Sequence, residues 1–335
     1  MAVRAPDPAL AARFGADLAA ALGARPDTGQ VIALAVSGGP DSMAMLALAH
    51  AALPGGVIAA TVDHQLRAES AHEATMVAAY CAQLGVAHAT LAPTSPIDRS
   101  SLQANARMVR YGLLAGWATA AGARILLTAH HADDQAETFL MRAARGSGLA
   151  GLAAIRARRE ESREVPSLLV VRPLLGWRRT ELRALAKGLG VPFVDDPSND
   201  DDRFDRIRFR KLMADNVWLD PVAIAASAAH LAEAERCLTG YLDGLWQQRA
   251  TTTANGLSVD MHDLDPEMRR RLARRAISQA RIRLGITTPQ WHESMAVEPL
   301  LQALIEHRSA TQAGILVTPK GKIWHFSKAP ARRSH

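Results

Sequence analysis

Aromatic residues are scarce: Phe, Tyr and Trp make up 4% of the 335 residues. This argues against recognition of single strands across a broad aromatic stacking platform. Only two cysteines occur, Cys81 and Cys237, far apart and in no C-x-x-C. A disulfide framework and a thiolate-held cluster are therefore not expected. No apolar run approaches the roughly 20 residues that span a bilayer, so no membrane partner is expected. Arg4, Asp7, Arg13 and Asp17 interrupt the amino terminus, which does not read as a secretory signal. A cytoplasmic protein is the resulting expectation. The chain also lacks G-x-x-x-x-G-K-[ST], which removes the commonest nucleotide-phosphate loop.

What is present is 48% hydrophobic and 21% charged residues, a composition that supports a sizeable core. A chain of 335 residues is expected to divide into two domains. Its formal charge of +6 suits a polyanionic partner, and equally suits an Arg-rich solvated surface. The first half alternates short apolar runs with amphipathic ones: strands at 31–36, 56–62, 87–91, 124–129 and 168–171, with helices between. Alternation of this kind predicts an α/β, doubly wound parallel sheet of about five strands. The charged stretch from Arg156 to Val165 reads as a mobile surface connection, and Asp195 to Asp205 as a loop. Beyond Asp215 the pattern changes to long Ala/Leu/Arg helices near 221–245, 265–284 and 289–306. The expected division is a catalytic domain over 1–215 and a smaller, mainly helical domain over 216–335. In the tail, 314–326 has room for two short strands turning at Lys320-Gly321.

The strongest local signal follows the first strand: Ser37-Gly38-Gly39-Pro40-Asp41-Ser42, then a helix. A helix amino terminus directly after a buried strand offers free N–H groups and a dipole to an anion. Gly38 and Gly39 permit close backbone approach by phosphate oxygens, and Ser37 and Ser42 add hydroxyls. Asp41 is too negative to be a plain phosphate ligand and suits Mg²⁺ or the helix amino terminus. A capped strand-to-helix turn is the plainer reading. The order of elements and the flanking hydroxyls favour the phosphate site.

A second cluster lies where the fourth strand ends: His130, His131, Asp133, Asp134 and Glu137. Ligands of open parallel sheets bind beyond the carboxyl ends of the strands. Asp134 and Glu137, three residues apart, share a helix face that His130 approaches from the loop. Such a cluster suits Mg²⁺ held against phosphates or an oriented nucleophile. The G-x-G-x-x-G run from Gly146 to Gly151 follows a helix rather than a strand, so a dinucleotide site is not expected there.

The loop resembles the SGGxDS signature of the PP-loop ATP pyrophosphatases, and the whole set resembles the tRNA(Ile)-lysidine synthases. The resemblance is carried by Ser37–Ser42, the Asp63-His64-Gln65-Leu66-Arg67 segment, Arg107 with Arg110-Tyr111, and His130 through Gly151. Asp196-Pro197-Ser198-Asn199 with Arg206, Arg208 and Arg210 completes it. It implies a PP-loop, adenine nucleotide alpha hydrolase-like fold, ATP and Mg²⁺ as cofactors, and free L-lysine and tRNA(Ile) with a CAU anticodon as partners. The implied reaction adenylates the carbonyl oxygen at carbon 2 of the wobble cytidine, and lysine then displaces AMP. On this resemblance Ser37, Gly38, Gly39, Pro40, Asp41 and Ser42 hold the pyrophosphate, and His64 and Arg67 shape the ATP pocket. Arg110, His130, Asp134 and Glu137 line the lysine and base site, and Arg208 meets the charge of nucleotide or tRNA. Longer relatives carry further carboxy-terminal domains, so this chain looks like a short form; a homodimer is left open.

Seven arginines stand between Arg269 and Arg283. An RNA-facing comb is one reading, with Arg270 and Arg274 as contacts whose removal weakens salt-sensitive tRNA binding. A solvated helix face is the other, since Leu272, Ala276 and Ile277 must pack inward. The rival functions are another PP-loop tRNA-modifying or amidating ligase and a non-catalytic tRNA-binding protein. Thiolases need paired cysteines that this chain lacks.

Overall fold

The computed structural model describes residues 4–65, 70–94, 102–161, 168–195, 205–292 and 295–330. Arg67, Leu66 and the Asp196–Asn199 segment lie outside the described residues. The chain divides into two units, Met1–Glu233 and Ala234–His335.

The first unit opens with α1 (Pro8–Leu22), whose start is set by Asp7 accepting from the Ala9 N–H and by proline in its first turn. There follow β1 (Ile32–Ala35), α2 (Pro40–Ala52), β2 (Val57–Val62), α3 (Ser70–Leu84), β3 (Ala87–Leu91), α4 (Leu102–Ala120) and β4 (Ile125–Leu127). Next come α5 (Ala132–Ala143), α6 (Leu149–Leu152), β5 (Arg158–Glu161), β6 (Leu168–Val171), α7 (Arg179–Leu189), α8 (Asp205–Ala214) and α9 (Pro221–Arg249), within which the division between the units falls. The strands form a six-stranded sheet in the order β3-β2-β1-β4-β6-β5. Every neighbouring pair is parallel except β5 with β6. The sheet is the doubly wound one expected from the alternation, with one strand more.

That extra strand, β5, occupies the stretch read as a surface connection. Its run of charged residues hides a strand because it is an antiparallel edge, where charge guards against further pairing. The central strands are apolar on both faces because both are covered. Ile32 and Leu34 face a core built with Phe14, Leu18, Met45, Leu48, Val77 and the fully buried Trp177. Ala33, Ala60, Leu126 and Val170 face the other way, onto Tyr111, Leu114 and Ala118 of α4. With few aromatics available, this second layer is close-packed from alanine and leucine. Trp177 is pinned by its Nε1 donating to Asp17 (2.8 Å) and by the Arg13 guanidinium 3.9 Å over its ring.

In the second unit, β7 (Ala250–Thr253), β8 (Gly256–Asp260), β9 (Ala310–Gln312), β10 (Ile315–Lys320) and β11 (Ile323–Lys328) form one sheet, ordered β7-β8-β11-β10-β9 and antiparallel throughout. α10 (Pro266–Arg283) and α11 (Glu298–Ile305) pack on it through Leu272, Ala276, Ile277, Leu300 and Leu304. The expectation of a mainly helical region with two tail strands is corrected here. Three further strands join those two, and the helix expected over 289–306 is confined to Glu298–Ile305. Pro289 and Pro299 restrict it, the latter being tolerated only in its first turn.

Candidate active site

The carboxyl ends of β1, β2, β4 and β6 converge on one edge of the parallel sheet, and the loop after β1 lies there. Gly38 is in the left-handed region (φ +86°), which a side chain resists. It is buried beneath Met76, Val77 and Val194, and its carbonyl accepts from the Val194 N–H (3.0 Å). The expectation that both glycines lie open to a phosphate is therefore corrected. Gly38 makes the turn, whereas the partly exposed Gly39 and the exposed Ser37 form its outer surface. Ser42 is buried and its hydroxyl staples the loop, accepting from the Ser37 N–H (3.1 Å) and donating to the Gly39 carbonyl (3.0 Å). It organises the cradle instead of pointing out of it. Pro40 occupies the first turn of α2, and no side chain caps that helix start. The Asp41 and Ser42 amides are thus among the orphan donors of a helix amino terminus.

His131, at the start of α5, joins this loop to the acidic edge. It is 3% exposed and its Nδ1 accepts from the Asp134 N–H (3.3 Å), while its own N–H donates to Asp134 Oδ2 (3.0 Å). The cap turns Nε2 towards Asp41 Oδ2, 3.4 Å away, and Asp134 Oδ2 lies 3.6 Å from the same nitrogen. One imidazole therefore links the Asp41 and Asp134 carboxylates. Burial disfavours a charge on His131, but Asp134, Asp41 and Asp133 outweigh it and raise its pKa. His130, hydrogen-bonded through Nδ1 to Thr128 Oγ1 (3.0 Å), behaves oppositely. Burial, assisted by the arginine charges around it, pushes its pKa down to about 3, so it is a neutral imidazole near pH 7.

The two acids expected to face substrate differ. Asp134 bonds Arg206 in addition to His131. Burial opposes its charge, but the His131 and Arg206 charges prevail and hold its carboxyl below the usual range. Glu137 is 1% exposed, with Arg206 Nε on one oxygen and Arg210 Nε on the other (2.8 Å). Its expected place in an open lysine site is corrected: as folded, it fastens α8 to α5. Asp133 is also engaged, accepting from the Arg179 N–H (2.8 Å) and from the Arg178 guanidinium (3.2–3.3 Å).

His64 stands just past β2 with Nδ1 buried and unpaired; burial and the Arg110 charge lower its pKa. Arg110 on α4 is half-buried and close enough for its charge to act on His64. Burial lowers the Arg110 pKa as well. Arg208 is exposed, with Asp205 at 3.9 Å. The Gly146–Gly151 run is the turn after α5 and the start of α6, tied down by Arg142 donating to the Gly151 and Ala154 carbonyls (2.8 and 3.0 Å).

The RNA-facing comb on α10 does not stand free. Arg270 bonds Glu267 and Glu298 (3.0 Å to the latter), and Arg274 lies 3.9 Å from Glu298. Arg271 is held by Glu235 (2.7 and 2.8 Å) and Arg275 by Asp243 (2.5 Å), while Arg281 bonds two backbone carbonyls. Acids scattered through the sequence meet these arginines only in the fold, which is why the run reads as unpaired charge. Sequence reasoning assigned no separate role to His131, Arg206, Arg210 or the buried Arg172. The available signals were a histidine directly before a helix with Asp at its third position, and the i, i+4 spacing of Arg206 and Arg210.

Asp41 Oδ1 is buried and bonded to nothing among the described residues, which fits a cation. Among the described residues no group of three metal-ligating side chains occurs. That suits Mg²⁺, which keeps water and needs one or two carboxylates plus substrate phosphates.

Residues 12–217 match the family model of the PP-loop domain. The chain is 42% identical over 286 residues to a tRNA(Ile)-lysidine synthase of Novosphingobium aromaticivorans, covering 84% of this chain and 83% of that protein. It is 39% identical to the tRNA(Ile)-lysidine synthase of Zymomonas mobilis, covering 83% and 82%. Among solved structures, a U34-tRNA thiolase from Methanococcus maripaludis matches with a TM-score of 0.55 at 17% identity, over 68% of this chain and 79% of that one. The thiolase likeness shows the fold alone.

Proposed function

Since the chain belongs to the tRNA(Ile)-lysidine synthases of the PP-loop domain family, we propose that its carboxyl edge splits ATP to AMP and joins free lysine to tRNA(Ile). The reading is an ATP-dependent carbon–nitrogen ligase: carbon 2 of the wobble cytidine is adenylated through its carbonyl oxygen, and the lysine amine displaces AMP to give lysidine. The observation that carries it is the shared imidazole of His131, which joins Asp41 of the phosphate loop to Asp134 of the acidic edge.

The chemistry needs both halves. A cytosine carbonyl is a poor electrophile until adenylation makes its oxygen a leaving group. The polyphosphate rests on the orphan amides at the start of α2 and the outer face of Gly39. Asp41 would hold Mg²⁺, which supplies charge neutralisation for the phosphates when bound. Lysine brings an ammonium that needs a buried anion, and it must lose a proton before attack. Asp134, ionised and held below its normal range, is a better ammonium partner than proton acceptor. Glu137 keeps Arg206 in place, and so acts on Asp134 through that arginine. Arg110 and Arg208 provide the cationic surroundings for nucleotide and RNA, and His64, its pKa lowered, adds an uncharged imidazole. The reaction is placed in the cytoplasm, where its nucleotide and tRNA substrates are. The second unit shares in tRNA binding on this reading, but not through an unpaired α10 comb.

The test is incubation with ATP, Mg²⁺, labelled lysine and unmodified isoleucine tRNA bearing a CAU anticodon. Label is expected in the RNA, only with ATP present and only with that anticodon. Absence of label with folded protein, or full lysine-dependent AMP release by Asp41→Ala, contradicts the proposal.

A further inference from the structure

We propose that the turn between α8 and α9, with Trp218 at its tip, is a stacking platform for an unpaired nucleobase of the tRNA. The inference rests on the tRNA substrate assigned above. In a chain so poor in aromatics, the other five tryptophans are engaged: Trp117 packs, partly buried, on the core that α4 shares with the sheet. Trp177 and Trp324 are buried, and Trp291 donates to Ser278 Oγ (2.9 Å). Trp246 carries the Arg275 guanidinium 5.0 Å from its ring centre. Trp218 is 89% exposed, as is Val217 beside it. Leaving an indole in water forgoes one of the largest gains available to a folded chain.

The turn that carries it is built rather than loose. The Leu219 N–H donates to the Asn216 carbonyl (3.0 Å), and Asp220 accepts from the Val222 and Ala223 N–H groups (3.2 and 3.1 Å), starting α9. Asp220 also lies 3.6 Å from Arg178 Nη1, and the same guanidinium holds Asp133 at the head of α5. The tip is therefore tied, through one arginine, to the acid next to Asp134. Its base is fixed while its indole is free, the arrangement that pre-organises a stacking surface.

Charge selects the occupant. Arg208 has a side chain 71% exposed, with its acidic neighbour Asp205 at the 3.9 Å limit of pairing. Leu212, one helical turn on from Arg208, continues that face of α8 towards the turn. An exposed cation on the helix that leads into the turn and an exposed aromatic at its tip are the two features that single-stranded RNA uses: phosphate to arginine, base to ring. A second copy of the chain is the poorer fit. Leu212, Val217, Trp218 and Val222 are four apolar side chains, against about 20–30 residues a side in a standard interface.

The experiment uses the full chain and an unmodified CAU-anticodon tRNA. W218A is expected to raise the Kd and KM for this tRNA about tenfold, with the loss carried in KM rather than kcat, and W218F to restore most of it. R208A is expected to lower the slope of log affinity against log salt by roughly 0.7. Wild-type affinity and KM in W218A overturn the proposal, as does a loss that W218F fails to restore. So does a change in sedimentation mass in W218A with tRNA affinity intact, which assigns the patch to a partner chain. A wild-type protein that puts no lysine into the tRNA overturns the assigned activity itself, and this inference with it.

Discussion

Replacing Glu137 by Gln keeps the side-chain volume and removes one charge from a site that is 1% exposed. Two guanidiniums, Arg206 and Arg210, then face an amide that can accept from one of them and repels the other with its NH₂ group. Breaking a fully buried pair costs about 3–5 kcal/mol. Here both arginines reach water, with side chains 42% and 28% exposed, so they recover part of their hydration. A loss of about 2–3 kcal/mol is the resulting expectation. For a unit of this size it amounts to roughly 5–10 °C in Tm. The assay is thermal unfolding followed by far-ultraviolet circular dichroism, paired with amide exchange of α8. Exchange in α8 is expected to accelerate well before global unfolding, because Glu137 is what fastens that helix to α5. A Tm within about 1 °C of wild type, with α8 amides exchanging as before, refutes the account of Glu137 as a latch.

Gly38→Ala places a side chain at φ +86° against Met76, Val77 and Val194, so it is expected to lose about 1–2 kcal/mol and to raise KM for ATP, read from urea unfolding and initial rates. Because the pKa of His131 is raised on folding, its stabilisation is complete below the unfolded value near 6.5 and is lost as pH rises through the folded one. Wild type should therefore lose stability relative to His131→Gln between pH 6 and pH 8, measured as the difference in Tm. Arg270→Ala with Arg274→Ala should leave the salt slope of tRNA binding unchanged, since both arginines already face Glu298. A flattened slope would return α10 to the RNA surface.

How far the sequence could be read followed from whether a signal was local. The loop after β1 announces itself because a buried strand, two glycines and a helix start adjoin in sequence, and the parallel sheet follows from simple alternation. β7 and β8 escaped because Thr251–Thr253 are polar and short. The Asn255-Gly256 dipeptide, where the two-residue turn runs into β8, was the available hairpin signal. β5 escaped because charge on an edge strand mimics a loop. In the site, residue types were legible but partnerships were not. Glu137 meets Arg206 and Arg210 across 69 and 73 residues, and only the fold reveals that its charge is already answered. The same holds for α10, whose arginines find Glu235, Asp243 and Glu298 from other elements.

The central claim is that one site cleaves ATP between its α and β phosphates and uses the adenylyl group on tRNA. With ATP labelled at the α phosphate, lysine and CAU-anticodon tRNA, labelled AMP should appear in step with lysidine, one for one, and should vanish without lysine turnover. Labelled ADP in place of AMP, or AMP release uncoupled from lysine entering the RNA, would contradict it.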